Sequence, residues 1–540
     1  MLARFVSGIT FAAALAVAQA PPGFKTYENK QAPLEFFYPA AYEELPLPPT
    51  EQVRVARFVL KQWPEDVKKI AERYRVRMPE LSVFLFEAKA VVTGAAPKEE
   101  PKGPSTVREA MENGSRVASW AEFIERFRGW SMTEVPKKPG HFTLTLSGEN
   151  HEARPIGYLV RREESNATFG VYGFSMLPHQ KALETQLTKM AASLALAEGD
   201  AAEVAAEAID KLYANGKFRA VEARKKARSE LPKGWKAVDT ENFLVVHHSK
   251  NDGLIRRIAR EIEAMRSLYA QHFPAVAPID ALSVVRVCRT KEEYHQYGGP
   301  PTSGGYWHPG NEELVFFDYS YTMKTLDDDE RKAMRGRVLT SDDSLLVLYH
   351  EALHQYLHYA VGEFSPHDWF NEGYGDYYSG AVVNESATSV LRIDPSPWRI
   401  HLAKDMCEFG EGYVPLEKLL KAERAEFYNP ARAGHYYAAA WSFVFFLKNS
   451  KEAAAVPAWA GLLQKYFDTV KAAYADELQL LKDTGAAIDL EAKTKASFAA
   501  RKTALTKTLE GIELPKLEAA WKKYVVEMRD PWPSKRKPRK

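Results

Sequence analysis

The chain has 540 residues, 73 of them basic and 71 acidic, for a formal charge of +2. So even a balance offers no electrostatic footprint for nucleic acid. Two cysteines, Cys288 and Cys407, exclude a disulfide-dense scaffold and leave open whether they pair.

Residues 1–18 read as a signal peptide. Arg4 supplies the n-region charge, Phe5 to Ala18 is an apolar stretch of fourteen residues, and Ala16-Val17-Ala18 fits a small-x-small cleavage site, with Ala20 as a second option. The stretch is too short for a spanning helix, and no other window is apolar enough. No cysteine near the cleavage site suggests a lipid anchor. The expectation is an exported chain, periplasmic or secreted, with no stable membrane insertion.

Residues 22–198 mix short strands and helices. Leu34 to Tyr38, His141 to Leu146, Ile156 to Arg161 and Thr168 to Phe174 read as strands. Pro97 to Pro104 reads as a flexible insertion, and a helix is expected from His179 to Leu196. This is an α/β accessory domain with no metal or nucleophile pattern. Residues 199–235, rich in Ala, Glu and Lys, form a helical connector. Residues 531–540 end in a basic run, Lys535 to Lys540, most simply a solvated tail.

Residues 236–398 carry the chemistry. Strands are expected at Asn242 to His248, Leu282 to Cys288 and Glu313 to Tyr319, and a helix at Leu254 to His272. A second helix follows. Ser341-Asp342-Asp343-Ser344 offers capping oxygens and negative charge at its start, Leu345, Leu346, Leu348, Leu353, Tyr356 and Leu357 form its apolar face, and Gly362 stops it. Within it lies His350-Glu351-Ala352-Leu353-His354. Residues four apart on a helix sit about 6 Å apart along the axis, on nearly one face. Two imidazoles so placed can share one metal ion, and Glu351 between them can reach a water beside it.

Catalytic zinc takes three protein ligands and leaves one position open. Seventeen residues separate His354 from Glu372 in Trp369-Phe370-Asn371-Glu372-Gly373, which opens another helix. A helix end, a loop and one turn of an antiparallel helix fill that gap and return Glu372 to the histidines. His358 extends the histidine row by a turn. A fourth ligand there would close the open position, so it reads as a packed or surface histidine.

With His-Glu-x-x-His followed by Asn371-Glu372 on a second helix, the chain resembles the gluzincin zinc metallopeptidases, the thermolysin-like enzymes and neutral zinc aminopeptidases. The metzincin pattern fails, since Leu357 and Ala360 stand where its Gly and third His belong. The resemblance covers about 240–450. It implies an α+β protein with an α/β lobe, a zinc helix pair and a helical lobe at 399–530, here behind the accessory domain. It also implies Zn2+ on His350, His354 and Glu372, with Glu351 as general base. Asp376, one turn beyond Glu372, would orient His350 as carboxylates do for zinc-bound histidines.

Gly434-His435-Tyr436-Tyr437 is similar to the aminopeptidase segment in which a Tyr opens a helix and supports the tetrahedral intermediate. Tyr437 matches best, Tyr436 next, and His435 is a third candidate. The competing reading makes Tyr437, Trp441, Phe445 and Leu447 a core stripe. The resemblance further implies an edge strand that pairs with substrate backbone, and 313–319 is the strand expected to do so. The aminopeptidase Gly-x-Met-Glu-Asn pattern is absent from it, which leaves recognition of a free N-terminus unsupported. The expected activity is therefore hydrolysis of peptide or protein substrates by a zinc metallopeptidase. The alternatives are a non-catalytic, zinc-stabilised binding or structural protein on the same fold and, last, a carbohydrate-binding protein suggested by the 11 Trp and 26 Tyr.

Overall fold

A computed structural model describes residues 20–531, apart from 28–33, 48–49, 63, 66–68, 70–78, 88–103, 105, 147–153, 165–166, 197–199, 215, 233 and 326–338. The signal segment, residues 97–103 of the insertion and the basic run Lys535 to Lys540 lie outside the described residues. Helices and strands are both abundant, so the fold is α+β.

The chain divides into two compact units. The first comprises Met1–Pro46, Gln52–Val91 and Val117–Ala206. Its centre is a seven-stranded antiparallel sheet of β1 (Tyr42–Leu45), β2 (Arg54–Leu60), β3 (Glu80–Glu87), β4 (Trp130–Glu134), β5 (His141–Leu146), β6 (Pro155–Glu164) and β7 (Ala167–Met176), in the order β1-β2-β3-β7-β6-β5-β4. One core unites Phe58, Leu81, Val83, Phe169 and Val171 with Leu183, Leu187 and Met190 of helix α1 (Gln180–Ala192). Another gathers Phe84, Phe86, Leu144 and Leu159 with Phe123 and Phe127. Strand residues alternate between faces, which is why one sheet feeds two cores. The helix expected to reach Leu196 stops at Ala192. Ala195–Leu196 instead pairs antiparallel with Leu34–Glu35.

The second unit comprises Leu47–Glu51, Val92–Arg116 and Glu207–Lys540. The expected connector is helical at Asp200–Tyr213 and Val221–Ser229. A five-stranded sheet follows, built from β8 (Lys236–Asp239), β9 (Phe243–His247), β10 (Ser283–Cys288), β11 (Gly305–His308) and β12 (Glu313–Phe317), in the order β8-β9-β10-β12-β11. Strands β9, β10 and β12 run parallel, and β8 and β11 are antiparallel to their neighbours.

This corrects the edge-strand expectation. The strand at 313–319 is β12, ending at Phe317, and it lies inside the sheet, fully buried, while the Gly-rich β11 forms the edge. Helix α2 (Asp252–His272) packs against helix α3 (Ser341–Val361), where the Tyr269 hydroxyl donates to the Tyr349 carbonyl. Helix α4 (Asp368–Ser379) follows, then a hairpin of β13 (Ala381–Val383) and β14 (Val390–Ile393) that no sequence signal marks. Beyond it the chain is helical to Glu527.

Candidate metal centre

Helix α3 begins with a capping box. The Thr340 side chain accepts from backbone N–H groups of the first turn, and the Asp343 side chain accepts from the Thr340 N–H. The cap is thus one residue before the Ser-Asp-Asp-Ser run. Gly362, at φ 106°, ends the helix in a left-handed turn. Nearly every side of α3 is buried, so an unpartnered polar atom on it is costly.

His350 and His354 lie one turn apart with ring centroids 4.6 Å apart and planes nearly perpendicular. Helix α4 brings Glu372 to them. Glu372 Oε2 is 3.0 Å from His350 Nε2 and 3.4 Å from His354 Nε2. Among the described residues these three form the group of histidine and carboxylate ligand atoms that converge within 4.8 Å. Two glycines permit the approach. A Cβ on Gly375 would fall 2.7 Å from the His350 ring, and one on Gly373 would fall 2.8 Å from the Ala440 carbonyl of helix α5 (Ala433–Asn449).

The exposed fractions are 9 % for His350, 9 % for Glu351, 4 % for Glu372 and 1 % for Asp376. Burial at this depth opposes charge, yet the neighbours overrule it. Burial lowers the His350 pKa, but the Asp376 and Glu372 carboxylates outweigh it and hold it well above the imidazole range. Burial raises the Glu372 pKa, and the two imidazoles bring it well below the carboxylate range. The Glu372 and Asp376 carboxylates thus place negative charge beside His350, and Glu372 does so beside His354. Two imidazole nitrogens and a carboxylate suit a divalent metal that accepts mixed nitrogen and oxygen donors, zinc among them.

Asp376 sits beneath this group. Its Oδ1 is 3.3 Å from His350 Nδ1, and Arg399 Nε donates to its Oδ2 at 2.6 Å. Burial raises the Asp376 pKa, and Arg399 and His350 bring it below the usual carboxylate value. His354 Nδ1 is buried without a hydrogen-bond partner among the described residues. Glu351 lies beside the ligands and takes a hydrogen bond from the Trp307 backbone of β11. Burial raises its pKa, with attraction to His350 and His354 offsetting part of the shift. His358 stands apart, against Trp307 at 4.8 Å between centroids, and burial pushes its pKa down to about 3.

Of the candidates at the mouth of α5, Tyr437 faces the centre. Its ring lies 6.4 Å from that of His350, and the Arg399 guanidinium lies 4.7 Å from its centroid. Tyr436 is fully buried elsewhere and donates to Glu426, and His435 packs against Gly412. Sequence reasoning did not single out Arg399 or Tyr428. The Tyr428 hydroxyl donates to Glu372 Oε1 at 2.5 Å. Neither residue belongs to a periodic pattern, and each reaches the centre from a separate segment.

Cys288 and Cys407 are buried and free. No helix among the described residues is long and apolar enough to cross a membrane. No family model matches the chain, and no curated protein does. Among solved structures, the solution structure of cyanobacterial PsbP (CyanoP) from Synechocystis sp. PCC 6803 is similar to part of it. The identity is 12 % and the TM-score 0.18, over 34 % of this chain and 97 % of that one.

Proposed function

We propose that this chain is an exported zinc-dependent peptidase of the gluzincin type. The observation that carries the reading is the meeting of Glu372 Oε2 with both Nε2 atoms, from two helices joined by a short loop. His350, His354 and Glu372 would hold the ion. Zinc bound there supplies Lewis acidity toward a scissile carbonyl and toward a water.

The chain's own residues do the rest. Glu351, held by the Trp307 N–H, takes a proton from the attacking water and delivers it to the leaving amine. Asp376, fixed by Arg399, has Oδ1 3.3 Å from His350 Nδ1 and would accept its N–H, presenting Nε2 as the ligand atom. Tyr437 donates to the oxyanion of the tetrahedral intermediate. The outer edge of β11 offers backbone groups to an extended peptide or protein substrate.

The test is hydrolysis of a mixed peptide library by the zinc-loaded chain and by Glu351→Gln, with metal content measured in both. The reading expects equal zinc and turnover lower by about 10²–10⁴-fold in the variant. Stoichiometric zinc with no hydrolysis by the parent chain would favour the alternative, a zinc-stabilised binding or structural protein. Loss of zinc in Glu351→Gln would make Glu351 a ligand.

A further inference from the structure

Glu372 has two carboxylate oxygens, and the structure treats them differently. Oε2 faces both histidines. Oε1 faces the other way and accepts from Tyr428. Tyr428 is itself held from two sides. The Arg424 guanidinium lies 4.7 Å from its ring centroid, and the buried Asp368 carboxylate lies 3.3 Å from its hydroxyl. Arg424 Nη1 is also 3.5 Å from Asp368, so Arg424, Asp368 and Tyr428 form one cluster behind Glu372.

A carboxylate can bind a metal through one oxygen or both. With both, it occupies a coordination position that a water or substrate carbonyl needs. A phenol at neutral pH keeps its proton, and its O–H can be directed at one carboxylate oxygen. That bond commits lone-pair density of Oε1 and fixes the carboxylate's rotation about its own axis.

We infer that Tyr428 is a positioning residue that confines Glu372 to one-oxygen ligation and thereby keeps the reactive position open. The inference rests on the metal-centre reading above. Tyr428 touches neither the imidazoles' ligand atoms nor any reacting atom. It acts through Glu372, with Asp368 and Arg424 limiting its own motion. The packing of Tyr428 against Phe427 and Tyr437 adds a second constraint, with ring centroids 5.3 and 6.1 Å away.

The experiment replaces zinc with cobalt(II) in the whole chain and compares the parent with Tyr428→Phe, using Tyr436→Phe as the control. Removing the phenol hydroxyl frees Oε1 to join the metal. The expected result is a visible cobalt spectrum altered toward higher coordination, with weaker bands per cobalt, in Tyr428→Phe alone. A cobalt spectrum equal to the parent's would overturn the inference and leave the metal centre standing. A parent chain that binds neither metal would overturn both. If Tyr428→Phe does not fold, zinc X-ray absorption on the parent chain decides the matter. One carboxylate oxygen at about 2.0–2.2 Å supports the inference, and two oxygens in the coordination shell contradict it.

Discussion

Tyr436 and Tyr437 differ by one position and by about 100° around their helix. That rotation sends one hydroxyl to Glu426 and sets the other ring beside His350. Tyr437→Phe is expected to lower kcat by about 10²–10³-fold with zinc retained and KM little changed, because the bond forms mainly in the transition state. Tyr436→Phe is expected to leave kcat unchanged. Steady-state kinetics on both variants check the register, and the reverse pattern would move the role to Tyr436. The two histidines and Glu351 were readable from spacing, because a helix fixes which residues share a face, and Glu372 from the length of the gap together with the Asn-Glu of the resemblance. Tyr428 and Arg399 were not, since nothing local directs a side chain on one segment to an atom on another.

A second residue lies in the first unit. Glu44 is partly buried and accepts from Tyr27 at 2.8 Å. Burial pushes its pKa from 4.5 up to about 7, with the Tyr27 bond opposing. A carboxyl whose folded pKa is raised contributes stability below its unfolded pKa and loses it as pH rises through the folded value. Glu44 therefore weakens the fold between about pH 4.5 and 7. Glu44→Gln is expected to raise the urea midpoint of the first unit at pH 8 more than at pH 5. Equal effects at the two pH values would contradict the shift.

At the scale of elements, β9, β10, β12 and helix α2 lie close to their sequence expectations, while β8 and β11 were not expected and the edge lies at β11. Both β11 and β12 carry aromatic residues, and β11 opens with glycine, which reads as a loop. The reason for the glycine is tertiary. A Cβ on Gly305 would fall 2.4 Å from Val347, so β11 reaches α3 only without a side chain there. The same strand supplies the Trp307 N–H to Glu351. Gly305→Ala is expected to destabilise the unit by about 1–3 kcal/mol, the usual range for overpacking. It should also lower peptidase turnover with zinc content unchanged. Denaturant titration and turnover measured together check this, and a variant equal to the parent in both would show that the close approach is not required.

At the scale of the whole molecule, the accessory region proves less continuous than its composition suggests. Two pieces of it, Leu47–Glu51 and Val92–Arg116, belong to the second unit. There Arg108 pairs with Glu312 at 2.5 Å, and Thr50 reaches Asn311 at 3.4 Å. Glu312, at φ 52° in the β11–β12 turn, also accepts from Tyr359. Composition and periodicity report only near neighbours, so contacts across 204 and 261 residues left no trace. Strands β5, β6 and β7 were visible as short apolar and β-branched runs, because a sheet covered by a core on each face buries successive residues of its strands.

The central claim is a single metal ion held by α3 and α4. Anomalous diffraction collected on either side of the zinc absorption edge, from crystals of the whole chain, tests it most directly. One zinc peak is expected about 2.0–2.2 Å from His350 Nε2, His354 Nε2 and Glu372 Oε2. No peak at that point in zinc-saturated crystals, or a full-occupancy peak on other residues, would contradict it.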